Sequence, residues 1–173
     1  MPGTAVRPLG HVSPRRGYDR RVIELGHTTD SRPPFRYAAF TRVGFSETDA
    51  QGVVYYGRYM PYFDLARTEY HRHLDLGSLR HAEGDFAMRA STVEYHSAAR
   101  FDDMLEVFVR VERIGTTSVT YDHAAYKLTD GEGDELMVTA KQTLVWIDQA
   151  RRKSLPVPDL FRERILAFEG PAI

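Results

Sequence analysis

One long stretch of helical periodicity stands among segments that alternate like strands, and this combination limits the fold more than any other feature. In residues 57–74, apolar side chains recur at steps of three or four, at Tyr59, Phe63, Ala66, Tyr70 and Leu74. This spacing predicts one amphipathic helix with Glu69 on its polar surface. Because proline is tolerated only in the first turn of a helix, Pro61 predicts a start near residues 57–60, and Gly77 is expected to end the helix.

Apolar and polar side chains alternate in the other ordered segments, as in half-buried strands. These segments are 35–45 before the helix, and 86–98, 105–111, 119–125 and 136–146 after it. Turn-forming sequences at 114–117 and 130–133 join the last strands into hairpins. A second helix is expected at roughly residues 159–168. One long helix with strands joined by hairpins predicts an α+β fold, in which the helix covers one face of an antiparallel sheet.

The beginning of the chain differs from the rest. Residues 1–34 show no sustained periodicity and contain five prolines, so we assign them to a flexible N-terminal arm and residues 35–173 to the folded domain. No apolar run approaches the roughly 18 residues of a membrane helix, and no secretory signal is evident, so we expect a cytoplasmic protein without a membrane partner. The long strands leave an edge and a face that need covering, which predicts a homodimer or a homotetramer.

The composition removes several kinds of site. The sequence has no cysteine, which excludes disulfides, thiol catalysis and zinc-thiolate centres. With 23 basic and 24 acidic residues the net charge is −1, which argues against a nucleic-acid partner. His71 and His73 lie two residues apart on the predicted helix, so they face different sides and cannot form a paired metal site. We therefore expect neither a metal nor a nucleic acid.

The polar loop before the predicted helix, residues 48–59, is the segment best suited to chemistry. Asp49 precedes a helix whose first backbone N–H groups are free to polarise a carbonyl or hold an oxyanion. A nearby carboxylate can attack that carbonyl or deprotonate a water, so the pair suits acyl transfer. The residues alone leave a plainer alternative open, since aspartate before a helix is commonly a turn former or cap. Glu47 is expected to be a solvated charge and His96 a structural hydrogen-bonding group.

Three motifs resemble one family. The stretch FSETDAQGVVYYGRY at 45–59 and its continuation FDLARTE at 63–69 closely resemble the 4-hydroxybenzoyl-CoA thioesterase family of hotdog-fold acyl-CoA thioesterases. The run YHSAARFDDML at 95–105 resembles a turn of the same family, and the resemblance extends over about residues 36–168. It implies the hotdog fold, an antiparallel sheet wrapped around one long central helix. It also implies dimers, often tetramers, with sites at subunit interfaces.

The resemblance assigns roles to individual residues. The family's catalytic aspartate falls on Asp49, as nucleophile or general base on the thioester. The helix N-terminus that polarises the thioester carbonyl falls on Tyr56, through its backbone N–H. Gly52 lies where the family needs close backbone passage, and Tyr59 is a candidate to line an acyl pocket. The implied reaction is hydrolysis of an acyl-CoA or acyl-carrier-protein thioester to a free acid and a thiol, without a metal or redox cofactor.

The resemblance also implies a place for the CoA phosphates. Family members often carry basic residues near the turn between the third and fourth strands. Here that turn, residues 115–118, offers the hydroxyls and backbone N–H groups of Thr116 and Thr117. Arg113 lies just upstream, so we expect nucleotide affinity to rest on Arg113 first and Arg100 second. An acyl-carrier-protein donor remains open.

Two other functions fit the same fold. A hydratase or dehydratase acting on acyl thioesters would need a histidine with an acidic partner at the cleft, and the Asp49 loop offers no such histidine. A non-catalytic acyl-CoA sensor would keep the pocket and tolerate the loss of Asp49.

Overall fold

The alternating segments form one antiparallel sheet in the computed structural model, which describes residues 25–77, 84–131, 133–171 and 173. The strands in these residues are β1 (Gly26–Thr28), β2 (Tyr37–Arg42), β3 (Asp85–Tyr95), β4 (Met104–Ile114), β5 (Ser118–Lys127), β6 (Glu135–Asp148) and β7 (Lys153–Ser154). Their order across the sheet is β1-β2-β4-β5-β6-β3, and β7 pairs with β6. Every pairing is antiparallel, which confirms the predicted fold class.

The predicted helix is α1 (Tyr59–His73), and it continues directly from a 3₁₀ turn at Tyr56–Arg58. Its apolar stripe is buried against the inner face of the sheet, where it packs with alternate residues of β4, β5 and β6. Glu69 is also buried, with 3% of its surface exposed, and forms an ion pair with Arg72. The prediction that Glu69 lies on a polar surface is therefore wrong, because the covered part of α1 is wider than the apolar stripe.

The end of α1 differs from the sequence-based expectation. The N–H of Leu74 bonds the carbonyl of Tyr70 at 3.1 Å, and Asp75 then adopts a left-handed conformation with φ of 54°. Aspartate reaches this region because its side chain is short and polar. Asp75 therefore ends the helix. Gly77, which was expected to do so, lies two residues beyond Asp75 and is not the cap.

The second helix is α2 (Asp159–Glu169), close to its predicted range. Phe161 and Ile165 of α2 are fully buried in the same core as α1. The hydroxyl of Tyr70 donates to Oε1 of Glu169 at 2.7 Å, and this bond ties the later part of α1 to the end of α2. The later part of α1 is thus held by α2, and its first turn lies next to the segment that contains Asp49.

Strand β1 lies inside the segment that the sequence assigns to the arm. It pairs with β2, and Gly26 packs so tightly that an added Cβ would lie 2.1 Å from the Tyr37 hydroxyl. A strand of three residues is too short to show a period of two, so the sequence pattern does not reveal it. Residues 1–24 of the predicted arm lie outside the described residues.

Candidate active site

Asp49 lies at the turn of a short hairpin. Its N–H donates to the carbonyl of Val53 at 2.9 Å, and the N–H of Gly52 donates to the Asp49 carbonyl at 3.0 Å. The Asp49 side chain is half-buried, and its Oδ1 accepts the N–H of Gln51 at 2.8 Å. In the described part of the chain Oδ2 has no hydrogen-bond partner. Asp49 is thus a turn former through one carboxylate oxygen and keeps the other available.

Gly52 meets a conformational requirement of this turn. Its φ is +75°, a region that residues with a Cβ rarely adopt. A Cβ built at Gly52 would contact nothing within 4 Å. In the described protomer the glycine is therefore needed for the left-handed turn, and the close backbone passage implied by the family resemblance is not observed.

The hairpin is fastened at its base to the rest of the domain. The N–H of Tyr55 donates to the carbonyl of Glu47 at 2.9 Å, and that of Val54 donates to the carbonyl of Ala99 at 2.8 Å. These bonds fix the turn that carries Asp49 between the start of α1 and the loop before β4. Because the hairpin leads directly into the helix, the position of Asp49 relative to the helix start is set locally.

Glu47 has a structural role at the base of this hairpin. Its Oε2 accepts the N–H of Gly44 at 2.5 Å and the hydroxyl of Tyr62 at 2.8 Å. Burial raises the pKa of Tyr62 well above its usual range, and the bond to Glu47 raises it further, so Tyr62 remains a donor. The expectation of a solvated charge at Glu47 is wrong, because a side chain from α1 reaches it.

The start of the helical stretch offers free backbone donors. The N–H groups of Tyr56 and Gly57 have no acceptor among the described residues, whereas the N–H of Arg58 already bonds the carbonyl of Tyr55 at 2.7 Å. No side chain of the described residues caps this end. Uncapped N–H groups at a helix start carry partial positive charge and bind anionic or developing anionic oxygen.

Aromatic side chains surround the helix start, and several were missed in the sequence because they belong to different segments. Tyr56 is 61% exposed, its ring lies 6.5 Å from that of Tyr95, and its carbonyl accepts the Tyr95 hydroxyl at 3.1 Å. Phe45 and Phe101 form a second exposed pair, 5.8 Å apart. The bridge between the hairpin and the loop at Arg100 brings these segments together.

Tyr59 lies deeper than these rings. Only 1% of it is exposed, and its hydroxyl accepts the N–H of Ala99 at 3.3 Å. Burial raises the pKa of its hydroxyl. In the described protomer Tyr59 supports the loop at Ala99, and its assignment to an acyl pocket stays a prediction.

The residues expected to hold phosphate lie at the opposite end of the sheet. Arg113 is the second-last residue of β4, and Thr116 and Thr117 follow its end, whereas the Asp49 hairpin contacts the residues before its start. The 11 residues of β4 separate the two ends by about 33 Å, at about 3.3 Å per residue. Arg100, by contrast, pairs with Val53 of the hairpin. One protomer therefore brings Arg100 to Asp49 and does not bring Arg113 there.

A buried polar group under α1 was also missed. His123 and Gln142 are each 1% exposed, and the ring of His123 stacks on Phe63 at 4.9 Å. Burial, followed by the charge of Arg67, lowers the pKa of His123 to about 3. Hydrogen bonding from the Gln142 side chain and the Phe108 backbone raises this pKa but does not offset the burial. His123 is therefore neutral near pH 7. Nothing in the local sequence of either strand signals that these side chains meet.

His96 bonds Thr139 through Nε2 at 3.2 Å, consistent with a structural role. The described residues contain no group of three or more histidine or acidic side chains arranged to hold a metal ion. Among the same residues, no helix combines the length and the apolar composition that crossing a membrane requires.

Comparison of the sequence with known families and proteins gives consistent results. Residues 43–165 match the profile of the thioesterase-like superfamily. The acyl-CoA thioester hydrolase YbgC of Escherichia coli is 33% identical over 119 residues, which cover 68% of this chain and 86% of that protein. The acyl-CoA thioesterase YbgC of Haemophilus influenzae is 33% identical over 91 residues, covering 51% of this chain and 67% of that protein.

Solved structures share the fold. A thioesterase-superfamily protein from Jannaschia superposes with a TM-score of 0.71 at 19% identity, covering 80% of this chain and 86% of that one. A 4-hydroxybenzoyl-CoA thioesterase variant in complex with 4-hydroxybenzoyl-CoA gives a TM-score of 0.67 at 18% identity, covering 74% and 96%. The predicted hotdog fold is confirmed by these likenesses.

Proposed function

Since the chain belongs to the thioesterase-like superfamily, we propose that it hydrolyses acyl-CoA thioesters to a free acid and a thiol. One observation carries the proposal: a carboxylate oxygen of Asp49 that has no partner among the described residues lies on the same hairpin that leads into the N–H groups of Tyr56 and Gly57, which also lack an acceptor there. The reaction needs an attacking or proton-accepting group and a donor for the developing oxyanion. This segment supplies both.

The N–H groups of Tyr56 and Gly57 polarise the thioester carbonyl. As the carbonyl carbon becomes tetrahedral, negative charge grows on its oxygen, and fixed backbone donors with the α1 dipole stabilise that charge. These donors need no rearrangement during the reaction, because the hairpin below them is held by Glu47 and Ala99. The thiolate then leaves and takes up a proton.

Asp49 acts on the carbonyl carbon by one of two routes. As nucleophile, its Oδ2 forms a mixed anhydride while the carbon–sulfur bond breaks, and water then hydrolyses the anhydride. As general base, Oδ2 takes a proton from the water that attacks. If water attacks the anhydride at Cγ of Asp49, a single turnover in oxygen-labelled water leaves the label on the Asp49 carboxylate, which the general-base route never does.

Assembly into a dimer is part of the proposal. Strand β3 is an edge strand of 11 residues that pairs only with β6 in the described structure, and most of its residues are exposed. Such an edge invites pairing with a second copy. We expect light scattering to give a dimer or a tetramer, and a stable, fully active species of about 20 kDa would contradict this. The cytoplasmic location and the choice between CoA and a carrier protein stay predictions.

The substitution Asp49→Asn tests the proposal. Asparagine preserves the shape and the bond to Gln51 but removes the negative charge. We expect kcat to fall by about 100-fold or more with an unchanged fold. The control is Asp102→Asn, since Asp102 is an exposed carboxylate of a neighbouring loop that pairs with Arg42. Near-normal turnover by Asp49→Asn would overturn the mechanism, and acyl-CoA binding without hydrolysis by the unaltered protein would favour a sensor.

A further inference from the structure

The two backbone donors of the proposed oxyanion site belong to two successive peptide groups. The Tyr56 N–H shares its peptide with the Tyr55 carbonyl, and the Gly57 N–H shares its peptide with the Tyr56 carbonyl. Both peptides are trans, so the N–H and the carbonyl of each lie in one plane and point in opposite directions. A contact that holds one of these carbonyls therefore also sets the direction of the N–H that the proposed reaction uses.

The first of these peptides is held by a local contact. The N–H of Arg58 donates to the Tyr55 carbonyl at 2.7 Å, and a bond to the third residue back is the one that defines a 3₁₀ turn. The direction of the Tyr56 N–H thus follows from the backbone of the turn itself and needs no side chain.

The second peptide is reached by a side chain from a distant part of the sequence. The hydroxyl of Tyr95, the last residue of the edge strand β3, donates to the Tyr56 carbonyl at 3.1 Å. The Tyr95 ring lies edge-on to the rings of Tyr56 and Tyr59, with centroids 6.5 Å and 6.0 Å away. Because Tyr59 is buried in the core, these ring contacts connect the Tyr95 hydroxyl to a rigid part of the domain.

The backbone at Tyr95 is fixed by the sheet. Tyr95 pairs with Val138 of β6, and the next two N–H groups, those of His96 and Ser97, both donate to the carbonyl of Met137 at 2.9 Å and 3.1 Å. The sheet therefore determines where the Tyr95 hydroxyl meets the start of the helical stretch.

The bond from Tyr95 has two effects on the Gly57 N–H. It fixes the plane of the peptide, and it draws electron density toward the carbonyl oxygen, which makes the N–H at the other end of the same peptide a stronger donor. The Gly57 N–H has no acceptor among the described residues, so this added strength is available to an oxyanion. Tyr95 is 49% exposed, so water can satisfy its hydroxyl equally well, and folding gains little from the bond.

We propose that Tyr95 is a positioning residue of the oxyanion site, whose hydroxyl holds the peptide between Tyr56 and Gly57 so that the Gly57 N–H is directed at the thioester oxygen. This inference rests on the proposed function of the site. Tyr95 acts through the peptide and contacts neither the acyl group nor the CoA. Because the charge on the oxygen develops only in the transition state, loss of the hydroxyl lowers kcat and leaves KM nearly unchanged.

The substitution Tyr95→Phe removes the hydroxyl and keeps the ring. Its kinetics are measured with whichever of acetyl-CoA, hexanoyl-CoA and benzoyl-CoA the unaltered protein hydrolyses fastest. We expect kcat to fall about fivefold to tenfold, less than the roughly 100-fold that the loss of a complete oxyanion donor costs, and KM to stay within about twofold. The matched control is Tyr126→Phe, which removes a hydroxyl from β5, where the ring lies against Arg32, and should change neither constant. Thermal unfolding and light scattering should give the same values for both variants and for the unaltered protein.

Infrared spectroscopy measures the polarisation of the thioester carbonyl directly. The Asp49→Asn protein is expected to bind the substrate with little turnover, so an isotope-labelled carbonyl can be observed in the bound state. Donors to the carbonyl oxygen weaken the carbon–oxygen double bond and lower its stretching frequency. We expect a lowered frequency in Asp49→Asn and a partial return toward the frequency of the free thioester when Tyr95→Phe is added.

The outcomes separate this inference from the proposed function. An unchanged kcat in Tyr95→Phe, or a lower kcat with an unchanged carbonyl frequency, overturns the positioning role and leaves the thioesterase proposal intact. A raised KM with an unchanged kcat also overturns it, because the hydroxyl would then bind the substrate directly. If the unaltered protein hydrolyses none of the three thioesters, the proposed function fails, and the inference fails with it.

Discussion

Two polar regions flank the first turns of α1, and they differ in how their hydrogen bonds are satisfied. On the hairpin side, one oxygen of Glu47 receives both the Gly44 N–H and the Tyr62 hydroxyl. On the sheet side, Oε1 of Gln142 and the ring nitrogens of His123 are buried and form no hydrogen bond of standard geometry in the described structure. The first region is held by hydrogen bonds that fix the hairpin carrying Asp49, whereas the second is held by packing, since the ring of His123 stacks on Phe63. Buried polar residues therefore stabilise the two sides of α1 in different ways.

Removal of the Glu47 carboxylate is expected to have the largest effect on stability. Glu47→Ala leaves the Tyr62 hydroxyl and the Gly44 N–H without their acceptor, and the loss of charge-assisted bonds to partly buried donors costs about 3 kcal/mol. Urea unfolding measures this change, and kcat should fall as well because the hairpin loses its anchor. Glu163→Ala is the control, since Glu163 is exposed on α2 and has no partner in the described part of the chain. Equal stability of both variants would mean that the Glu47 bonds contribute nothing.

The second effect comes from His123. Its folded-state pKa is lowered to about 3, whereas an unfolded histidine titrates near its ordinary value of 6.5. The unfolded state therefore binds a proton first as the pH falls, so stability is complete above about pH 6.5 and declines toward pH 3. Between pH 8 and pH 5 this single group should cost about 2 kcal/mol of unfolding free energy.

His123→Phe isolates that contribution. Phenylalanine keeps the stacking on Phe63 and cannot take up a proton, so the difference in stability between the two proteins should shrink or reverse on acidification. Arg67 and Tyr121 face His123 in the wild type and are unchanged in the variant. Parallel pH–stability curves for both proteins would show that His123 does not titrate on unfolding.

Arg113 gives the smallest expected effect and extends the comparison to the other end of the sheet. If the turn at 115–118 binds CoA phosphates, Arg113→Ala should raise KM for acyl-CoA by about fivefold and leave kcat nearly unchanged, because a remote contact acts equally in ground and transition states. An acyl-pantetheine, which lacks the nucleotide, should not respond. Since β4 separates this turn from Asp49 of the same protomer, such an effect would also indicate a site shared with a second copy. Equal changes for both substrates would mean that Arg113 acts through structure.

The elements follow from local pattern more readily than the contacts do. The strand at β6 and the helix α1 were predictable because each is long enough to repeat its own periodicity several times. Strand β1 was not, since three residues show no period. Asp75 ended α1 in place of Gly77 because an aspartate can also adopt the left-handed conformation. Burial of Glu69 could not be read from the sequence, since it depends on how widely α1 is covered.

The sequence by itself determined the fold class, the order of the elements and the placing of Asp49 just before a helix start, because backbone geometry imposes those patterns on neighbouring residues. Only the tertiary structure decided that Glu47 meets Tyr62, that Gln142 lies under Met60 and that Arg113 stands a whole strand away from Asp49. Those relations join residues far apart in the chain. They depend on strand register and on how α1 packs against the sheet. Both decide where each side chain lies, and both are defined only once the whole sheet has formed.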